Sequence, residues 1–161
     1  MSVLAAVALP SMRPAEAERL DLAAAWIAET IRFARAEAVR TGAPVYLEIN
    51  RNTERLLVAG ADLSGPTAMP GQTFRDPVTK QPLDLILSDA APTAGIDITD
   101  RPFDYPSGGR QDFVVFGAQG LPFHKASDSF RRMTLGEIVL ARGGQERTVH
   151  VAATTGRVTI P

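Results

Sequence analysis

The chain has 161 residues, 45% of them hydrophobic and 22% charged, with a formal net charge of -1 and no cysteine. That length and composition suit one folded domain with its own core and exclude a disordered or collagen-like chain. The near-zero charge gives the whole molecule no pull toward a polyanion or an anionic membrane, and the missing cysteines exclude disulfides, thiolate catalysis and cysteine-bound zinc.

Residues 3–9, VLAAVAL, make an apolar opening run without a basic flank. The run is far shorter than the ~20 residues of a spanning helix, so it is neither a complete signal peptide nor a complete anchor. Pro10 and Pro14 follow, and either end this run or kink a helix already under way. Residues 15–41 read as helix. Leu20, Ala24, Ile27, Ile31, Ala34 and Ala38 recur at alternating spacings of three and four, which makes one continuous apolar stripe, and Leu22, Trp26 and Phe33 widen it along one flank. Glu16, Glu18 and Asp21 sit early and Arg35 and Arg40 late, the order the helix dipole favours. Gly42 suits the position after the last helical residue, and Pro44 bars continuation.

Beyond Gly42 the period changes from helical to two. Val45, Leu47 and Ile49 alternate with Tyr46, Glu48 and Asn50, the pattern of a half-buried strand, and residues 54–58 return as a hairpin arm. Residues 59–81 collect Gly60, Gly65, Pro66, Pro70, Gly71 and Pro77 outside any period and read as a long exposed connection. Residues 83–87, 96–98, 113–116, 137–142, 146–151 and 157–160 are further strand candidates, with turns at Gly143-Gly144 and Thr155-Gly156. The expected class is α+β, a long N-terminal amphipathic helix packed on antiparallel sheet. A lone helix cannot bury so broad a stripe by itself. Its C-terminal half is expected on the sheet and its N-terminal half to project.

Chemistry-bearing patterns are sparse. His124, in an expected loop, and His150, within VHVAA, have no companions at metal-ligand spacing. Ser107-Gly108-Gly109 lacks the strand of a nucleophile elbow, and neither Asp84 with Asp89 nor Asp97 with Asp100 has the setting of an acid–base pair or a calcium loop. No catalytic, cofactor or metal site is expected, and the protein does not read as an enzyme. Residues 1–124 carry 11 Lys/Arg against 15 Asp/Glu, whereas residues 125–161 carry 6 against 3. Lys125, Arg131, Arg132, Arg142, Arg147 and Arg157, interleaved with Phe123 and Phe130, form either a strip for nucleic-acid phosphates or a solvated face broken by Asp128, Glu137 and Glu146.

Residues 3–12, VLAAVALPSM, resemble the second half of the membrane helix of type IV pilins and pseudopilins. Residues 33–47, FARAEAVRTGAPVYL, resemble the helix-to-strand junction of minor pseudopilins of the GspH/FimT type, matching at Ala34, Arg35, Glu37, Ala38, Val39, Arg40, Gly42, Pro44 and Val45. Phe116, Gly117 and Gly120 resemble that family's strand and turn, and Gly156-Arg157-Val158 its closing strand. The resemblance implies a pilin-like fold with a membrane-helix remnant over residues 1–14, a helix over 15–42 and a periplasmic β domain over 43–161. It implies a chain that begins inside the membrane helix of a longer, processed protein anchored in the inner membrane.

The role it implies is that of a minor pseudopilin in the filament of a type II secretion system, which assists export of folded proteins. The implied partners are other minor and major pseudopilins through the helix, the inner-membrane secretion platform and exported substrates. Subunit packing is expected at Leu20, Ala24, Ile27 and Ile31, with the lower positions on the chain's own sheet, or else the whole stripe is internal core. The alternatives are a minor type IV pilin, with DNA contacted through Lys125, Arg131, Arg132 and Arg147, and an independent soluble binding domain.

Overall fold

The computed structural model describes residues 13–161; the expectations for residues 3–9 and Pro10 lie outside the described residues. One helix, α1 (Arg13–Thr41), opens the fold. Pro14 lies in the first described turn of the helix. At the other end the Thr41 hydroxyl donates to the Glu37 carbonyl at 2.8 Å, and Gly42 takes φ +66°, the left-handed turn that glycine adopts without a Cβ clash.

The strands follow in order: β1 (Val45–Asn50), β2 (Arg55–Asp62), β3 (Met69–Thr73), β4 (Asp84–Ile86), β5 (Asp97–Ile98), β6 (Phe103–Tyr105), β7 (Gly109–Gln111), β8 (Phe113–Phe116), β9 (Pro122–Ala126), β10 (Ser129–Arg132), β11 (Leu135–Arg142), β12 (Gln145–Val151) and β13 (Val158–Thr159). They form two antiparallel sheets. The first runs β10-β9-β8-β1-β2-β3, with β4 also on β2; the second runs β13-β12-β11-β6-β7, with β5 also on β11. The helix and both sheets share one core. Leu20, Ile27, Ile31 and Ala38 of α1 pack with Leu47, Val58, Val114 and Phe116 of the first sheet and with Phe103, Ile138, Leu140 and Val149 of the second.

Three expectations are corrected here. The N-terminal half of α1 does not project as a whole, because Leu20, Ala23, Ala24 and Ile27 are fully buried, and Asp21 forms an ion pair with Arg147 on β12. Residues 59–81 are not a long exposed connection. Part of the stretch is the end of β2 and all of β3, and residues 63–68 cross the outer face of the first sheet. There Ala68 closes a second small core with Tyr46, Leu57, Ala59 and Val115, tied down by the Lys125 ammonium donating to the Leu63 carbonyl. The outer face of β1 is therefore covered at Tyr46, while Glu48 and Asn50 stay partly exposed. Finally, β3, β6, β7, β9 and β10 fell among segments read as loops. β3 and β10 are edges, where Pro70, Gly71 or a polar run costs little pairing, and β9 buries His124 and Lys125, which hides its character.

Candidate functional site

Three residues of the GspH/FimT-like pattern, Arg35, Gly120 and Gly156, converge on one junction. From α1, the Arg35 guanidinium donates through Nε to the Gly120 carbonyl at 3.2 Å and to the Thr155 carbonyl at 3.0 Å. Gly120 belongs to the turn between β8 and β9 of the first sheet, and Thr155 to the turn between β12 and β13 of the second. One side chain thus ties the helix to both sheets. Arg32, one turn earlier, donates to the Val158 carbonyl at 3.0 Å.

Glycine is required on both turns for a physical reason. Gly156 has φ +67°, and a Cβ there would lie 2.4 Å from the Gly120 carbonyl oxygen and 3.1 Å from Arg35 Cδ. Gly120 has φ +73°, and its Cβ would meet Arg35 Nε at 3.0 Å. The two turns approach so closely that only bare backbone fits between them and the arginine.

The remaining pattern residues have plain structural places. Glu37 is paired with Arg40, whose hydrogen bond holds the Glu37 carboxyl below the usual carboxylate range. Ala38 and Val158 are in the core. The Pro44 carbonyl accepts from Ala61, and the Arg157 carbonyl from Ala152, so both serve the ladders through their backbones. Gly42 has open space around it.

Leu20, Ala24, Ile27 and Ile31 are all fully buried within the chain itself. These side chains face the chain's own sheets, in keeping with the alternative that the stripe is internal core. The surface of α1 lies on the opposite face, at Leu22, Ala25, Glu29, Arg32, Ala36 and Val39, spaced three and four apart. Leu22 is 56% exposed and Val39 51% exposed. Between them Glu29 and Arg32 neutralise each other as an ion pair. This second stripe was legible as a period, but Leu22 read as a flank of the buried one.

Of the four basic residues offered for nucleic acid, Lys125, Arg131 and Arg132 share the β9–β10 hairpin, while Arg147 lies apart on β12. Lys125 is buried with its ammonium on the Leu63 carbonyl, Arg131 donates to the Ser107 carbonyl at 3.2 Å, and Arg147 pairs with Asp21 across the other sheet. Of the four, only Arg132, on β10, is exposed.

The histidines are structural in setting. His150 sits 3.7 Å from the Glu137 carboxylate on the outer side of the second sheet. His124 is buried, with ring centroids 5.1 Å from Tyr105 and 4.7 Å from Phe113. Burial, with the charge of Arg131 adding to it, pushes the His124 imidazole below its ordinary value. The unfolded chain therefore takes up this proton at higher pH than the fold does. The resulting stability is fully present above the unfolded value of about 6.5 and is lost as pH falls from there through the folded one. The urea midpoint should drop between pH 7 and pH 5.5, and His124→Gln should flatten that slope. Among the described residues no group of three His, Asp or Glu could hold a metal ion, and no helix is long and apolar enough to cross a membrane.

A family model described as Type II transport protein GspH matches residues 23–155, from the buried face of α1 through both sheets to the second turn held by Arg35. The chain belongs to the GspH family. As a GspH protein it is a structural subunit of a type II secretion-like filament and not an enzyme, the role the pattern at Arg35 and Gly42 implied. The minor pseudopilin EpsH from the Type 2 Secretion System of Vibrio cholerae superposes with a TM-score of 0.56 at 15% identity, covering 89% of this chain and 96% of that one. The type IV minor pilin FimU of Pseudomonas aeruginosa superposes with a TM-score of 0.53 at 16% identity, covering 94% of this chain and 92% of that one. At such identities the likeness is one of fold, and the expected pilin-like α+β architecture is the one observed. No curated protein matches the chain.

Proposed function

We propose that this GspH protein is a minor pseudopilin that joins its filament through the outward stripe of α1, with the β domain from residue 43 onward in the periplasm. Its neighbours are other pseudopilins packed along Leu22, Ala25, Ala36 and Val39, and the secretion platform lies at the membrane end of the helix. The observation that carries the reading is the division of α1 into two stripes. One is wholly consumed by the chain's own sheets, and the other leaves two large apolar side chains in water beside small residues and a self-neutralised ion pair. Such a surface gives a partner helix apolar area and close approach without leaving a charge unpaired.

The test is the double variant Leu22→Glu, Val39→Glu in the source cell. Both side chains are exposed, so the urea midpoint should shift by no more than about 0.5 kcal/mol equivalent. Secretion of the system's exported proteins, and recovery of other pseudopilins by crosslinking to α1, should be lost. Normal secretion and crosslinking in the folded variant would remove the outward stripe from the interface.

A further inference from the structure

The first sheet ends at β10, and among the described residues no strand pairs with its outer edge. The direction of that edge follows from the hairpin. Ser127 and Asp128, at φ 50° and 62°, make a two-residue turn, so Ala126 and Ser129 form the bonded pair that closes it. Arg131 opposite His124 keeps the same phase, and the Met133 N–H donating to the Pro122 carbonyl continues it. Phe130 and Arg132 lie between these positions, so their N–H and C=O groups turn away from β9 toward the open side.

A groove of about 420 Å³ runs beside that edge, with Leu121, Phe123, Phe130, Arg132 and Met133 among its walls. Phe130 is 63% exposed, yet its ring is held edge-on against Phe123 at 5.5 Å with the Lys125 ammonium 5.8 Å from its centre. Leu121 is also exposed. Phe130 and Arg132 are two residues apart on one strand and share a face. Among the described residues neither Arg131 nor Arg132 has a carboxylate within ion-pair distance.

These charges select the occupant. Pairing β10 with a second copy of itself would bring four arginines together, and like charges across a strand pair are destabilising. An acidic strand meets no such cost.

We propose that β10 and its groove receive an extended segment of a partner protein. The segment adds to the sheet as a strand, with an apolar side chain entering the groove between Leu121 and Phe130. An Asp or Glu two residues along the same face pairs with Arg132. Backbone bonds to Phe130 and Arg132 supply affinity, and the two side-chain positions supply specificity. The inference is independent of the filament interface on α1, which lies on a different element.

The test begins with selection from a phage-displayed random dodecapeptide library on the immobilised 161-residue protein. The recovered sequences should share an apolar-x-Asp/Glu pattern. By fluorescence anisotropy, the labelled consensus peptide should bind at least tenfold more weakly to Arg132→Glu and to Phe130→Ser. A peptide with Lys in place of its acid should regain affinity for Arg132→Glu. Arg132→Pro removes one outward N–H without breaking a bond to β9, and should weaken binding while the thermal unfolding midpoint stays near that of the parent. Selection without a shared acidic pattern, or equal binding to the folded variants, would overturn the proposal. So would failure to recover any consensus. Binding of a 20-base-pair DNA duplex that Arg132→Glu abolishes, with no peptide recovered, would assign the edge to nucleic acid instead.

Discussion

Replacing Gly156 with alanine should destabilise the fold by about 3 kcal/mol, with the urea midpoint falling and the slope of the transition unchanged. Two costs add. The backbone at φ +67° is one that an L residue enters at roughly 1–2 kcal/mol. The new methyl would also stand 2.4 Å from the Gly120 carbonyl oxygen, and backbone cannot swing away as a flexible side chain does. Moving that turn would pull both carbonyls off Arg35 Nε. Gly42→Ala is the control. Its φ of +66° is nearly the same, but nothing lies within 4 Å of the added atom, so it should cost only about 1 kcal/mol. Equal losses in the two variants would show that the approach of the two turns contributes nothing.

Ile31→Ala should cost about 2–5 kcal/mol, the range for truncating a fully buried aliphatic side chain whose surroundings relax incompletely. Ile31 is wholly buried in the core that α1 forms with both sheets. On the same helix, Val39→Ala should change stability by less than about 0.5 kcal/mol, since half of that side chain is already in water. The pair of measurements, by urea unfolding of the isolated protein, separates the two stripes without reference to any partner. If Ile31→Ala were nearly silent, that stripe would not be internal core in solution, and its role in contact with other subunits would reopen.

The helix was legible because its signals are local. A period near 3.6 runs through the segment, and Gly42 and Pro44 stand just past its end. Periodicity says which face is apolar, however, and not what covers it. The spacing of Leu20 and Ile27 is therefore compatible with a subunit contact and with internal core alike, and their burial within the chain supports the latter. The same limit applies to β1. The alternation at Val45, Leu47 and Ile49 marks the inner face correctly, but Tyr46 is buried too, under residues 63–68, whose approach is set by packing distant in sequence. β3 escaped notice because its Pro70 and Gly71 are poor strand residues, and an edge tolerates them. At the junction, Arg35 and Gly156 stood out as a pattern. Their relation did not, because the carbonyls that Arg35 grips lie 85 and 120 residues away along the chain.

The clamp also decides how a pull on the helix is carried. From Leu20 to Ala38 about 27 Å of α1 is embedded in the core, held by Asp21 to β12 near one end and by Arg32 and Arg35 to both sheets near the other. Tension along the axis meets these attachments in shear, all at once, and cannot peel the helix away one turn at a time. The domain behaves as a rivet head on its shaft. Force arriving through the helix is shared between two sheets, and close-packed interiors pass it on with little give.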